Sequence, residues 1–156
     1  MGLDMYLSAK KYHSTAEWRP ETERAEFGRL KQVLGDLDTV LDDQALPYIY
    51  IEVSVGYWRK ANAVHQWFVD NCQNGEDDCR VAYVPREKMT ELLNLCEQVL
   101  LQPATAKNDL PTQPGFFFGS YEYDGYYFDD LKATVGILKK ALEMPDCWEF
   151  YYHSSW

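Results

Sequence analysis

Long apolar runs are missing from this sequence, which has no stretch of about 18 consecutive apolar residues. We therefore expect no membrane-spanning helix. The opening residues MGLDMYLSAKK show no basic segment followed by an apolar run, so no secretion signal is expected either. A polybasic helix face that could lie on a membrane surface is also missing. These absences predict a protein of the cytoplasm, without a membrane partner.

Histidine and cysteine are scarce, with three and four residues respectively. Cys72 and Cys79 are separated by six residues, more than the roughly two to four that are typical of zinc sites. The acidic turn between them lacks the ligand spacing of a calcium loop. No G-x-S-x-G motif occurs, and nothing selects a pair of nucleophile and base. The sequence predicts free thiols, no metal and no cofactor, and it leaves open whether the protein is an enzyme.

Basic residues are few for a chain of 156 residues: Lys and Arg number 15 against 25 Asp and Glu, a net charge of −10. Such a chain repels phosphate backbones, so we expect no direct binding of nucleic acid. The hydrophobic fraction of 46% is ample for a core, and a charged fraction of 26% is that of an ordinary globular protein. Length and composition together predict a single domain over residues 1–156.

Hydrophobic patterns of strands and helices alternate along the chain. Strands are predicted over 3–8, 48–55, 80–84, 116–118 and 148–152, and helices over 20–34, 57–71, 85–100 and around Leu131, Val135, Leu138 and Leu142. The 48–55 run is apolar on both faces, which is typical of a central strand. Residues 102–115 contain three prolines and no periodicity and are expected to form a loop. We predict an α+β fold, with a mixed or antiparallel sheet of about five strands and three to four helices mainly on one face.

The predicted helix over 57–71 carries a tryptophan, an asparagine and a histidine along one edge of its apolar stripe. Gly56 would end the preceding strand and leave free N–H groups at the helix start, where an anion can bind. This pattern predicts a pocket for a small molecule or nucleotide between the helix and the 116–120 loop. The alternative is that the aromatic and histidine side chains have satisfied hydrogen bonds and the basic ones are solvated. The candidate ligand-binding residues are Trp58, Arg59, Lys60, Asn62 and His65.

The segment 116–128 combines many aromatic rings with carboxylates, and no basic residue occurs between Asn108 and Leu131. Rings beside carboxylates suit a basic, partly apolar surface through cation–π contacts, stacking and ion pairs. We therefore predict that this segment binds the basic surface of another protein. The alternative is that Phe116, Phe118, Tyr127 and Phe128 belong to the core, with tyrosine hydroxyls reaching water. The candidate partner-binding residues are Tyr121, Glu122, Tyr123, Asp124, Tyr126, Asp129 and Asp130.

Four blocks of the sequence, MGLDMYL, VGYWRKANAVHQWFVDN, LPTQPGFFFGSYEYD and FYYHSSW, resemble a family of small acidic proteins encoded by phages, prophages and bacteria. That family has no established activity, so the resemblance transfers no catalytic residues. It implies the cytoplasm of a bacterial cell, including an infected host, and an accessory role during infection. By analogy, we expect a protein that binds and modulates, or inhibits through DNA-like charge, a host protein such as a nucleic-acid enzyme or a defence nuclease. A ligand-binding protein or small enzyme is the alternative, and the oligomeric state is left open.

Overall fold

The computed structural model describes residues 2–35, 48–115 and 118–156. Its strands are β1 (Asp4–Ser14), β2 (Tyr48–Arg59), β3 (Ala82–Val84) and β4 (Glu149–Ser155), and its helices are α1 (Glu21–Val33), α2 (Asn62–Cys72), α3 (Arg86–Leu101), α4 (Ala106–Asp109) and α5 (Gly125–Leu142). The α+β class is confirmed. The described residues contain four strands and five α-helices, where about five and three to four were expected.

The four strands form an antiparallel sheet in the order β2-β1-β4-β3. β3 pairs with β4 so that Ala82 lies opposite Tyr152 and Val84 lies opposite Phe150. Among the described strands β2 lies at one end of this order, so the expectation of a central strand is wrong. β-Branched and aromatic residues favour any pleated surface, and they do not distinguish an edge strand from a central one.

The described chain divides into two compact units, one of residues 1–9 and 53–156 and the other of residues 10–52. Strands β1 and β2 each run from one unit into the other. Within the smaller unit, Phe27 is the buried residue of α1, and the ring of Tyr12 contacts those of Tyr48 and Tyr50. The single domain over 1–156 stays a prediction.

In the larger unit, helices α2, α3 and α5 pack against one face of the sheet. Phe68 of α2 stacks on Tyr152 of β4 with ring centroids 4.1 Å apart. The guanidinium of Arg86, the first residue of α3, lies 5.1 Å from the ring centre of Phe150. The indole of Trp58 donates a hydrogen bond to Thr134 of α5 at 2.9 Å. These contacts place the core on the face that carries the even-numbered residues of β4.

Helix α2 begins five residues later than the sequence predicted, because β2 continues through Gly56 to Arg59. A Cβ on Gly56 would lie 2.6 Å from the side chain of Ile137 in α5, so this glycine permits close packing of helix on strand and does not end the strand. The chain turns instead at Lys60, which has a φ of 62°. The N–H of Asn62 then donates to the carbonyl of Lys60 at 2.8 Å.

Helix α5 begins at Gly125, earlier than its aliphatic stripe indicated. Asp124 is its N-cap: the carboxylate accepts the N–H groups of Tyr126 and Tyr127 at 3.0 and 3.2 Å. Tyr126 therefore belongs to the first turn of a helix, whereas Tyr121 and Tyr123 precede it. The expected loop over 102–115 contains a 3₁₀ turn, Pro103–Thr105, and α4. The predicted strand over 116–118 is not tested, since residues 116 and 117 lie outside the described residues, and Phe118 lies in no strand.

Candidate functional site

A pocket lies between the start of α2 and the start of α5. Residues 60–64 line one side, and the 120–131 segment lines the other with Glu122, Asp124, Tyr126 and Asp130. The cavity volume is about 50 Å³. Pockets for cofactors and drug-sized ligands measure roughly 300–1,000 Å³, so this one suits a single side-chain head group and not a nucleotide.

Asp130 is the least compensated group of the pocket. It is half-buried, and its carboxylate makes no hydrogen bond or ion pair within residues 2–35, 48–115 and 118–156. Burial, followed by the negative charges of Asp129 and Asp124, raises the pKa of Asp130 to about 6. Asp124 differs, because its carboxylate caps α5. The pocket therefore holds a carboxylate whose charge the described side chains leave unbalanced.

Two lysines near the pocket do not balance this charge. Lys60 lines the pocket but forms no ion pair with a described residue. Lys132 is paired with Asp129 at 2.8 Å on the exposed side of α5. Lys60 is thus the basic side chain among the described residues that line the pocket, and it leaves Asp130 unpaired.

Asn62 organises the pocket wall. Its amide nitrogen donates to the backbone carbonyls of Phe118 at 3.0 Å and Ser120 at 2.8 Å. Its amide oxygen accepts the N–H of Gln113 at 3.0 Å. Both donors and the acceptor are used inside the protein. Asn62 therefore holds the loop against α2, although sequence reasoning assigned it to ligand binding.

His65 belongs to a closed network and not to a pocket edge. It is fully buried, so it does not form the accessible pocket edge that its place beside the apolar stripe predicted. Its Nδ1 lies 2.7 Å from the Tyr152 hydroxyl and its Nε2 lies 2.9 Å from Asp77, which also accepts the Trp156 indole N–H at 3.1 Å. Burial raises the pKa of the Tyr152 hydroxyl well above its ordinary value. The ring of Phe118 contacts the imidazole edge-on at 5.1 Å. We call Asp77, His65 and Tyr152 the His65 network.

The other predicted ligand residues lie elsewhere. Trp58 is buried with its indole N–H on Thr134, and Arg59 is exposed, 3.8 Å from Asp4. Both belong to β2 and neither lines the pocket. The proposed anion site depended on a helix starting at residue 57 and is wrong, since Arg59 precedes the helix. Of the five candidates, the pocket brings together Lys60 and Asn62.

The predicted partner-binding residues divide into two groups. Four of them line the pocket: Glu122, Asp124, Tyr126 and Asp130. The other three are Tyr121, Tyr123 and Asp129. Tyr123 is half-buried, its hydroxyl accepts the N–H of Thr112 at 3.2 Å, and its ring packs edge-on against Tyr127, so it is largely structural. Tyr121 and Asp129 are exposed.

The aromatic residues that the alternative interpretation assigned to the core, Phe116, Phe118, Tyr127 and Phe128, differ in burial. Tyr127 is buried, and its hydroxyl donates to the carbonyl of Leu110 at 2.8 Å. Phe118 and Phe128 are partly buried and pack against the core. Phe116 lies outside the described residues. The alternation of buried and exposed rings follows from the helix that begins at Gly125, which sequence reasoning placed later.

The described residues offer little for a metal ion or a membrane. Among them, no group of three or more His, Cys, Asp or Glu side chains is arranged to hold a metal ion. None of their helices is both long and apolar enough to cross a membrane. The four cysteines are free thiols. Burial raises the pKa of Cys72 to about 11 and that of Cys96 to about 12, so these two thiols are poor nucleophiles.

Comparisons of the chain with protein-family models, with curated proteins and with solved structures found no match. The resemblance to phage-encoded acidic proteins therefore stays a prediction.

Proposed function

We propose that this protein is an interaction module whose acidic pocket binds a lysine or arginine side chain of a partner protein. The observation that carries the proposal is the half-buried, unpartnered carboxylate of Asp130 in a cavity of about 50 Å³. A carboxylate taken partly out of water without a partner is destabilising, and a cation at hydrogen-bond distance relieves that cost. A cationic head group should therefore bind more tightly to Asp130 in the pocket than to a fully solvated carboxylate.

The residues around Asp130 fit a basic side chain. Tyr126 is 81% exposed and lines the pocket, so its ring is available to the aliphatic stem or the charged head of the guest. Glu122 and Asp124 add negative potential beside it. A phosphate or carboxylate ligand would be repelled by the same three acidic groups, which disfavours the nucleotide-binding alternative.

The partner is a protein with a basic surface. The net charge of −10 raises the rate of encounter with such a surface, and the pocket then selects one protruding basic residue. A nucleic-acid enzyme or defence nuclease of a bacterial host fits this description, because its substrate-binding face is basic. The likeness to phage-encoded proteins supports the same setting, in the cytoplasm of an infected cell.

The experiment is an amide-resolved NMR titration with three blocked tripeptides, Gly-Arg-Gly, Gly-Lys-Gly and the uncharged Gly-citrulline-Gly. We expect the two cationic peptides to shift the signals of residues 60–64 and 122–131, and citrulline to leave them unchanged. Asp130→Asn should weaken binding by about tenfold or more, because hydrogen bonds to charged groups contribute about 1.5–3 kcal/mol.

The matched control is Asp129→Asn, one residue earlier on the same helix but exposed and already paired with Lys132. It should leave the affinity within about twofold of the parent, since screened surface pairs contribute little. Equal loss of affinity in the two variants, or shifts produced equally by citrulline, would refute the pocket as the binding site.

A further inference from the structure

The face of the sheet opposite α2, α3 and α5 carries a layer of aromatic rings from all four strands. Tyr6 of β1 stacks on His153 of β4 with centroids 4.7 Å apart, and it contacts Tyr57 of β2 at 5.4 Å. Tyr83 of β3 contacts Tyr151 of β4 at 5.7 Å. We call these five residues the open sheet face. Because the alternate residues of each strand form the core, this layer lies on the side away from the helices.

The open sheet face is accessible to solvent. Tyr57 is 49% exposed, Tyr83 is 53% exposed, and the neighbouring Val81 is also exposed. Scattered exposed apolar residues are ordinary, but a contiguous aromatic layer is typical of a protein interface. Tyrosine is enriched in such interfaces because it combines a large apolar surface with a polar end.

Hydrogen bonds hold two rings of this layer in place. The hydroxyl of Tyr57 donates to Asp4, and the hydroxyl of Tyr151 donates to Glu149 at 2.9 Å. Rings that are already ordered lose little conformational freedom when they are covered. The aromatic layer is therefore preorganised for contact with another flat protein surface.

Charged groups of both signs lie around the open sheet face. Asp4 and Glu149 are accompanied by Arg59, which lies 3.8 Å from Asp4. A chain of net charge −10 repels its own copies, so two copies approach most easily through a face where both signs occur.

We propose that the open sheet face is a homodimer interface, in which a second copy of this chain packs its sheet on the first. A contact about a two-fold axis brings the same patch of both copies together, so charges of both signs within the patch can pair across it. Arg59 of one copy then meets a carboxylate of the other, while tyrosine rings fill the centre. Stacked sheets lie about 10 Å apart, a spacing that aromatic side chains fill well.

The test is sedimentation equilibrium of the full chain over a wide range of concentrations. We expect the parent to reach the dimer mass, and Tyr57→Ser and Tyr83→Ser each to raise the dimer dissociation constant about tenfold or more, as central tyrosines of interfaces do. Tyr121→Ser is the matched control, because Tyr121 is also 49% exposed but lies in another region. It should dimerise like the parent.

A parent that remains monomeric at the highest concentration would overturn the proposal. So would a dimer that Tyr121→Ser disrupts while the two sheet variants leave it intact. Photo-oxidative coupling of tyrosines in the unmodified chain gives a second measurement, which does not depend on how the variants fold. Intermolecular dityrosine should join open-face tyrosines, and links confined to Tyr121 or Tyr126 would contradict the proposal. Asp130→Asn should leave dimerisation unchanged, which separates this interface from the pocket.

Discussion

Asp77 and Asp130 are two carboxylates of one fold with opposite surroundings. Asp77 accepts hydrogen bonds from His65 and Trp156, so its charge is used inside the protein. Asp130 is half-buried without a partner among the described residues. Asp77 therefore stabilises the fold, whereas Asp130 is available to bind a ligand. Natural proteins rarely bury a charge that nothing balances.

The largest expected effect lies beneath the His65 network, at Phe68. This side chain is fully buried and stacks on Tyr152, so Phe68→Ala should lower the free energy of unfolding by about 3–5 kcal/mol. Urea unfolding followed by circular dichroism measures the loss. An unchanged melting temperature would mean that the core does not contain this contact. Tyr126→Ala, at an exposed ring of α5, is the control and should change stability by less than about 0.5 kcal/mol.

Removal of Asp77 should have the next largest effect. Asp77→Ala leaves the Nε2–H of the buried His65 without an acceptor, which costs about 1–3 kcal/mol of stability. Asp70→Ala is the control, because Asp70 is exposed and bonds only to Gln66 on the same helix. Equal urea midpoints for the two variants would contradict a structural role for the His65 network.

Asp130→Asn should raise the free energy of unfolding, whereas Phe68→Ala and Asp77→Ala lower it. In the folded state its pKa is about 6, above the ordinary 3.8, so the carboxyl holds its proton more tightly when folded. Stability therefore falls as the pH rises from about 4 to 6, and the variant escapes this loss. Above about pH 7 we expect Asp130→Asn to be more stable than the parent by about 1 kcal/mol, after allowance for partial exposure.

The measurement is a pair of urea titrations, one near pH 4 and one near pH 8. The difference between variant and parent should be close to zero at the lower pH and appear at the higher one. The opposite trend would show that a partner stabilises the charge of Asp130. Binding of the Gly-Lys-Gly peptide should strengthen over the same pH range in the parent, because the ionised carboxylate is the form that binds.

The smallest effect is expected at Asp129, next to Asp130 in sequence. Its ion pair with Lys132 joins two side chains that are both about two-thirds exposed. Asp129→Asn should change the free energy of unfolding by less than about 0.5 kcal/mol, at low or high salt. A larger fall in the urea midpoint would mean that the ion pair with Lys132 stabilises the fold despite its exposure.

Local patterns predicted much of the fold. The positions of the helices followed from apolar spacing, and Phe68 and Val64 are buried as the stripe of α2 indicated. Errors in the predicted element boundaries arose where a residue type has more than one structural role. Gly56 was interpreted as a strand end, but it makes room for Ile137 of α5, and that contact joins residues far apart in the sequence. The start of α5 at Gly125 was missed, because the capping role of Asp124 was not recognised.

The sequence by itself determined the acidic surface, the α+β class and the segment that contributes four residues to the pocket. Only the tertiary structure decided which of these carboxylates lacks a partner, and that His65 is closed in by Tyr152, 87 residues away. It also decided that rings from four strands form one exposed layer. The physical reason is that periodicity reports the exposure of side chains along one element, whereas the balance of a buried charge depends on groups that other elements bring to it.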